Sequence, residues 1–159
     1  MTEKIQLLMA TQTGGAEDVA NDILEDIKKR GLKAEWRDLA DDDDISFLND
    51  ATLIIGVVST WGDGEPPDDA PPFFENLREE SPLNLAKTPM AIIGLGDSGY
   101  DIFCGCGKEL EKELTRHGAV SIIPRADFDV WYDDELKQWF DDFHNVLEKD
   151  RSLTCSVSE

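Results

Sequence analysis

Three short segments combine glycines with hydroxyl, acidic and aromatic side chains, and each follows an apolar run that is typical of a strand. They are Thr11–Ala16, Ser59–Gly64 and Gly94–Tyr100. Because the carboxyl ends of the strands in an open α/β sheet form one edge where ligands bind, we expect the three segments to meet on one ligand. A phosphate loop without lysine, together with two loops that carry a large aromatic side chain, favours a flat, phosphorylated ring system over a nucleoside triphosphate.

The first segment has the composition of a phosphate-binding loop that leads into a helix. A helix start offers free backbone N–H groups and a partial positive charge to an anion. Gly14 and Gly15 let the backbone curl closely around a phosphate, and the hydroxyls of Thr11 and Thr13 can donate further hydrogen bonds. No Lys or Arg occurs between Ile5 and Ile27, which argues against the Gly-Lys-Ser/Thr loop of a kinase or NTPase. An ordinary glycine turn before a capped helix is the structural alternative.

The second and third segments each place one aromatic residue just past a strand. Trp61 lies among glycines and prolines, and Tyr100 takes the corresponding place in the next loop. Two such rings on adjacent strand ends can hold a planar ligand between them. The alternative is that each ring only covers the end of the sheet.

The third segment also matches the pattern G-x-G-x-x-G from Gly94 to Gly99. In a dinucleotide-binding fold, an acidic residue follows about 20 residues later, at the end of the next strand. Here that distance falls near 114–116, inside a predicted helix. The sequence therefore disfavours a dinucleotide site.

Strands and helices alternate about five times along the chain. The apolar patterning predicts strands at 4–10, 33–38, 52–58, 89–95 and 120–124, and helices at 15–30, 45–49, 73–80, 102–117 and 134–148. The continuous apolar runs at 52–58 and 89–95 are typical of central parallel strands covered on both faces. This order predicts a parallel sheet with right-handed crossovers and helices on both faces. The aromatic residues of the last helix have the spacing of core residues.

Size and charge restrict the class of protein. The chain has 159 residues and a net charge of −20, from 35 acidic and 15 basic side chains, so we expect one domain over 1–159, with a flexible tail at 151–159. Nucleic acid is an improbable partner because its phosphates require neutralisation. The acidity favours basic protein partners or serves solubility. No membrane span and no signal peptide are recognisable, which predicts a cytoplasmic protein.

Cysteine and histidine residues give no sign of a disulfide scaffold or a metal site. The three cysteines, Cys104, Cys106 and Cys155, form no Cys-x-x-Cys pair. His117 and His144 have no nearby Cys or His cluster. Cys104 and Cys106 lie near a helix start, which can lower the pKa of a thiol, but small apolar fillers are the favoured interpretation.

With these motifs in place, the chain resembles a short-chain flavodoxin over about residues 4–148. Its first segment is similar to the family loop for the phosphate of FMN. The segment from Ser59 is similar to the loop whose tryptophan covers one flavin face. The segment from Gly96 is similar to the loop whose tyrosine covers the other flavin face. The absence of an inserted loop in the last strand region, 120–132, is typical of the short-chain type. The resemblance implies these cofactor-binding residues: Thr11, Gln12, Thr13, Gly14, Gly15, Ala16, Ser59, Thr60, Trp61, Gly62, Asp63, Gly64, Leu95, Gly96, Asp97, Tyr100, Phe103, Cys104 and Asp127.

The resemblance also implies fold and function. The fold would be a three-layer α/β fold with a five-stranded parallel sheet in the order 2-1-3-4-5. The protein would be a monomeric, low-potential electron carrier that shuttles FMN between semiquinone and hydroquinone. Its partners would be redox proteins with basic docking surfaces, such as a flavin reductase or iron–sulfur and haem proteins. Gly15 and Ala16 depart from the usual Asn and Thr, and the FMN domains of diflavin reductases share Ala at this position.

Two features would tune the cofactor. The peptide of Gly62 can flip at little cost and offer its carbonyl to the flavin N5–H. Acidic residues around the site would disfavour an anionic reduced flavin and predict a strongly reducing second couple; they are Asp63, Glu65, Asp68, Asp69, Asp97, Asp101, Asp127 and Asp129. The alternatives are an FMN-dependent NAD(P)H or quinone reductase, which would need an open ring face, and a binding module without flavin.

Overall fold

The protein forms a parallel sheet between two layers of helices. The structure is a computed structural model, and it describes residues 5–10, 15–29, 31, 33–38, 48, 51–59, 73, 75–77, 85, 88–95, 105–128 and 133–149. The strands are β1 (Ile5–Ala10), β2 (Ala34–Asp38), β3 (Leu53–Ser59), β4 (Pro89–Leu95), β5 (Val120–Ser121) and β6 (Ala126–Phe128). The helices are α1 (Gly15–Lys29), α2 (Gly105–Arg116) and α3 (Asp133–Lys149). Phe73 and residues 75–77 are also helical.

The sheet order is β2-β1-β3-β4-β5, and β6 also pairs with β4. All pairings are parallel, which confirms the predicted order and direction. Side chains alternate across the sheet because successive Cβ atoms of a strand point to opposite faces. In β1, Leu7 and Met9 pack in the core on the α1 and α3 side, whereas Leu8 and Ala10 pack on the α2 side. The core therefore has two halves, one on each face of the sheet.

The last strand differs from the prediction. Instead of one strand at 120–124, the chain forms β5 and β6, and both lie along β4. Four residues, 122–125, stand opposite only two residues of β4, Ala91 and Ile92, so the chain bulges between the two strands. Pro124 lies in this bulge, and proline has no N–H to donate to a ladder. The predicted fifth strand of the sheet is thus replaced by two short strands, β5 and β6, that both pair with β4.

Helix α1 begins and ends with the expected chemistry. Glu17 and Asp18 lie in its first turn and Lys28 and Lys29 in its last, which complements the helix dipole. Gly31 has a φ of 79°, and its N–H donates to the carbonyl of Lys28 at 3.0 Å. This is the left-handed cap that glycine adopts readily, and it confirms Gly31 as the end of the helix.

The remaining helices agree with the sequence pattern where they are described. Helix α2 buries Leu110 and Leu114, and α3 buries Trp139 and Phe143. Of the predicted helix 45–49, only Leu48 is among the described residues. The predicted tail at 151–159 lies outside them. Within the described part of the chain, no helix combines the length and apolar character that crossing a membrane requires.

Candidate functional site

The carboxyl ends of the central strands lie side by side at one edge of the sheet. Ala10, the last residue of β1, pairs with Val58, and Ser59, the last residue of β3, pairs with Leu95 at the end of β4. Leu95 in turn pairs with Phe128 of β6. The three predicted ligand segments therefore start from neighbouring positions of one edge, as the sequence predicted.

The amino end of α1 adjoins this edge. Four residues, 11–14, separate the end of β1 at Ala10 from the start of α1 at Gly15, so Gly15 and Ala16 belong to the first turn of α1. The backbone N–H groups of a first helical turn have no partner within the helix and attract anions. A helix start of this kind can bind an anion through its backbone N–H groups without a lysine.

Three predicted cofactor-binding residues lie at or next to the ends of β3, β4 and β6. Ser59 ends β3. Leu95 ends β4, and its side chain is only 7% exposed and packs in the core, which leaves its backbone as the group for a ligand. Asp127 lies in β6 opposite Gly94.

The other predicted site residues belong to the connections and lie outside the described residues. They are Thr11, Gln12, Thr13, Gly14, Thr60, Trp61, Gly62, Asp63, Gly64, Gly96, Asp97, Tyr100, Phe103 and Cys104. Their roles stay predictions. The described strand ends determine where each of these connections starts.

Asp127 is held by an arginine that the sequence analysis did not single out. Nε of Arg125 donates to Oδ1 of Asp127 at 2.8 Å, and a second guanidinium nitrogen donates to Oδ2 at 3.2 Å. Arg125 also forms an ion pair with Glu111 of α2, and the hydroxyl of Ser121 donates to the same carboxylate at 3.2 Å. The hydrogen bond to Asp127 is the largest cause that raises the pKa of Arg125, and the charges of Asp127 and Glu111 raise it further, against the effect of burial.

Two glycines bring α2 against the end of β4. A Cβ atom added at Gly107 would lie 3.0 Å from Cα of Gly94 and 3.9 Å from Cδ of Arg125. The third residue of α2 therefore packs on the backbone of β4 one residue before the edge. One sequence signal exists for part of this cluster: Arg125 and Asp127 are two apart, and alternate residues of a strand share a face.

The two histidines have structural partners. His117 is fully buried, and its Nε2 lies 2.9 Å from the carbonyl oxygen of Leu77. His144 Nε2 lies 2.7 Å from Oδ2 of Asp26. Among the described residues, no group of three or more His, Cys, Asp or Glu side chains is placed to hold a metal ion.

The chain is similar to flavodoxins and to one part of larger flavoproteins. A family model described as Flavodoxin matches residues 7–140. The sulfite reductase [NADPH] flavoprotein alpha-component of Vibrio vulnificus is 37% identical over 136 residues, which are 86% of this chain and 22% of that protein. The corresponding protein of Buchnera aphidicola is 31% identical over 153 residues, 96% of this chain and 25% of that protein. The chain thus spans about a quarter of the length of these curated relatives.

Solved structures of flavodoxins share the fold. A flavodoxin from Streptococcus pneumoniae superimposes with a TM-score of 0.79 at 25% identity, over 92% of this chain and 98% of that one. A cysteine variant of the flavodoxin from Pseudomonas aeruginosa gives a TM-score of 0.77 at 28% identity, over 91% of this chain and 99% of that one.

Proposed function

This chain belongs to the flavodoxin family, and from this premise we propose that it carries single electrons on a non-covalent FMN held at the carboxyl edge of its sheet. FMN is the cofactor of the family. One observation supports the proposal above all others. The strands that lead into the three ligand segments end side by side, with Ala10 paired to Val58 and Ser59 paired to Leu95.

The described part of this edge fits FMN. A phosphate needs a cluster of donors, and the first turn of α1 supplies backbone N–H groups next to the end of β1. A flat ring needs a slot between loops, and the connections that follow β3 and β4 leave from adjacent strands. When bound, FMN supplies the redox chemistry, since it accepts and releases electrons one at a time.

The residues of the connections have separate tasks in this proposal. The hydroxyls of Thr11 and Thr13 donate hydrogen bonds to the phosphate beside the backbone N–H groups of Gly15 and Ala16. Trp61 and Tyr100 cover the two faces of the ring and exclude water from it. The carbonyl of Gly62 would offer a hydrogen-bond acceptor to a ring N–H of FMN.

Charge determines the partners that we propose. The net charge of −20 repels other acidic proteins and steers basic ones toward the chain. Glu17 and Asp18, both exposed in the first turn of α1, place part of that charge beside the proposed site. We therefore propose basic redox proteins as partners of a monomeric domain in the cytoplasm.

A second candidate function is favoured by the sequence comparison. Identity to the sulfite reductase flavoprotein of Vibrio vulnificus is 37%, against 25% and 28% to the two flavodoxin structures. In this alternative, the domain passes electrons within an NADPH-dependent flavoprotein system rather than between many partners. A stand-alone NAD(P)H or quinone reductase is a weaker candidate, because a second substrate would need the ring faces that Trp61 and Tyr100 are proposed to cover.

An anaerobic titration of the FMN-loaded protein tests these proposals. We expect stepwise reduction by dithionite with a long-wavelength absorption band of half-reduced flavin, and no reduction by NADPH alone. Gly62→Val should diminish that band. Direct bleaching without the band would contradict the carrier proposal, as would failure to retain FMN. Reduction by NADPH alone would instead favour the reductase.

A further inference from the structure

Five residues connect the start of α2 to the end of β4. They are Gly94 of β4, Gly107 and Glu111 of α2, Arg125 just before β6, and Asp127 of β6. We call this set the α2 anchor. It lies directly at the carboxyl edge, because Gly94 is one residue before the end of β4 and pairs with Asp127.

The close packing of α2 on the backbone of Gly94 requires a glycine at position 107. With a Cβ on Gly107, its distance to Cα of Gly94 would be 3.0 Å, shorter than an optimal carbon–carbon contact of about 3.5–4.0 Å. A backbone atom cannot rotate away as a side chain does. An alanine at 107 would therefore displace the first turn of α2 from β4.

Arg125 holds the same turn from the side. Its stem lies against Gly107, since a Cβ there would meet Cδ at 3.9 Å. Its guanidinium binds Asp127 through two nitrogens and also contacts Glu111, one helical turn beyond Gly107. A planar guanidinium bound at two points fixes direction as well as distance. The ion pair thus joins helix and strand in one arrangement.

The anchor controls both ends of the third ligand segment. Residues 96–104 connect Leu95 at the end of β4 to Gly105 at the start of α2. Gly94 of the anchor lies one residue before Leu95, and Gly107 lies two residues after Gly105. A shift of α2 relative to β4 would therefore change the span that these nine residues must close.

We propose that the α2 anchor positions residues 96–104, and with them Tyr100, against FMN, so that Gly107 and Arg125 are positioning residues for the cofactor. This inference rests on the function proposed above. It assigns no contact with FMN to either residue. Both act through the segment whose ends they hold.

The first test is Gly107→Ala in the full chain. We expect the dissociation constant for FMN, measured by quenching of flavin fluorescence, to rise roughly tenfold, which corresponds to about 1.4 kcal/mol. In the apoprotein we expect faster amide hydrogen exchange in peptides spanning 95–105. Wild-type values for both quantities would overturn the proposal.

Leu114→Ala is the matched control. Leu114 is fully buried near the other end of α2, and its truncation should cost about 2–5 kcal/mol of stability. At a temperature where the apoprotein stays folded, we expect its FMN dissociation constant to equal that of the wild type. If Leu114→Ala weakens FMN binding as much as Gly107→Ala, the effect follows general stability and the proposal fails.

Arg125 variants provide a second test that does not depend on Gly107. Arg125→Met removes the charge, and Arg125→Lys keeps it but loses the two-point geometry. We expect both variants to weaken FMN binding and to shift the midpoint potential of bound FMN. Wild-type binding and potential in Arg125→Lys would show that geometry is not required and would overturn the role of Arg125.

The outcome for the wild type separates this proposal from the proposed function. A wild-type protein that does not bind FMN contradicts the function. Comparison of hydrogen exchange between the wild-type and Gly107→Ala apoproteins then tests the positioning role of the α2 anchor independently of FMN. Equal exchange over 95–105 would overturn it, and faster exchange in the variant would support it.

Discussion

Gly56 of β3 and Leu110 of α2 are in such close contact that β3 has no room for a side chain at this position. A Cβ at Gly56 would lie 2.8 Å from Cδ2 of Leu110 and 3.0 Å from Cδ1 of Ile92. Helix α2 thus packs over a glycine in the middle of the sheet, as it packs over Gly94 near the edge.

This contact predicts that Gly56→Ala destabilises the protein. The added methyl must displace two buried side chains, and overpacking of this kind costs about 1–3 kcal/mol. Urea unfolding measures the change. Leu110→Ala alone should cost about 2–5 kcal/mol, and the double variant should cost less than the sum, since each change relieves the other. Strict additivity would contradict the proposed collision.

A second prediction concerns the carbonyl of Leu77, which accepts two hydrogen bonds. Its donors are Nε2 of His117 at 2.9 Å and a guanidinium nitrogen of Arg116 at 2.8 Å. His117→Leu and Arg116→Met each leave one donor, whereas the double variant leaves neither. We expect the double variant to lose about 0.5–3 kcal/mol more than the sum of the single variants, measured by urea unfolding. Glu113→Gln controls for the ion pair that Arg116 forms with Glu113.

A third prediction concerns pH and Arg125. Its pKa is raised in the folded state, chiefly by the hydrogen bond to Asp127. A raised pKa of a cationic group stabilises the fold below the pKa of the unfolded state, and this stabilisation is lost as the pH rises through the folded pKa. For arginine both pKa values lie far above pH 9. We therefore expect the cost of Arg125→Met, roughly 1–3 kcal/mol, to be equal at about pH 6 and pH 9 by urea unfolding. If the cost of Arg125→Met decreases from pH 6 to pH 9, Arg125 itself titrates in this range.

The sequence predicted the elements whose physics is local. The continuous apolar run at 89–95 became β4 with the same bounds, because a strand covered on both faces needs apolar side chains at every position. Gly31 ended α1 because a left-handed residue was needed there. The strands that precede the three motifs end side by side at one edge, which needs only parallel pairing.

Features that depend on contacts between distant elements were not predictable from the sequence. Nothing in the pattern of α2 indicates that Gly107 would touch Gly94, because that contact depends on how the helix lies on the sheet. The ion pair between Glu111 and Arg125 joins residues 14 apart in different elements. The division of the last strand followed from two extra residues opposite β4, a matter of register that the apolar pattern does not contain.

The final prediction concerns Trp139, whose ring is buried while its N–H has no acceptor among the described residues. Nε1 of Trp139 is inaccessible, and no group in the described part of the chain accepts its hydrogen. The ring stacks on Phe143, with centroids 4.7 Å apart and planes at 15°, and meets the edge of Phe140 at 5.7 Å. An unsatisfied buried donor costs about 1–3 kcal/mol.

Trp139→Phe should therefore change stability by no more than about 1 kcal/mol, because removal of the orphan N–H offsets the smaller ring, whereas Trp139→Ala should cost about 3–5 kcal/mol. The urea midpoint measures both, and an unchanged slope shows that the unfolded states are comparable. If Trp139→Phe costs as much as Trp139→Ala, the larger ring is what this position requires and the orphan N–H carries no penalty. Equal or increased stability in Trp139→Phe would mean that α3 keeps its aromatic stack on Phe143 without the indole nitrogen.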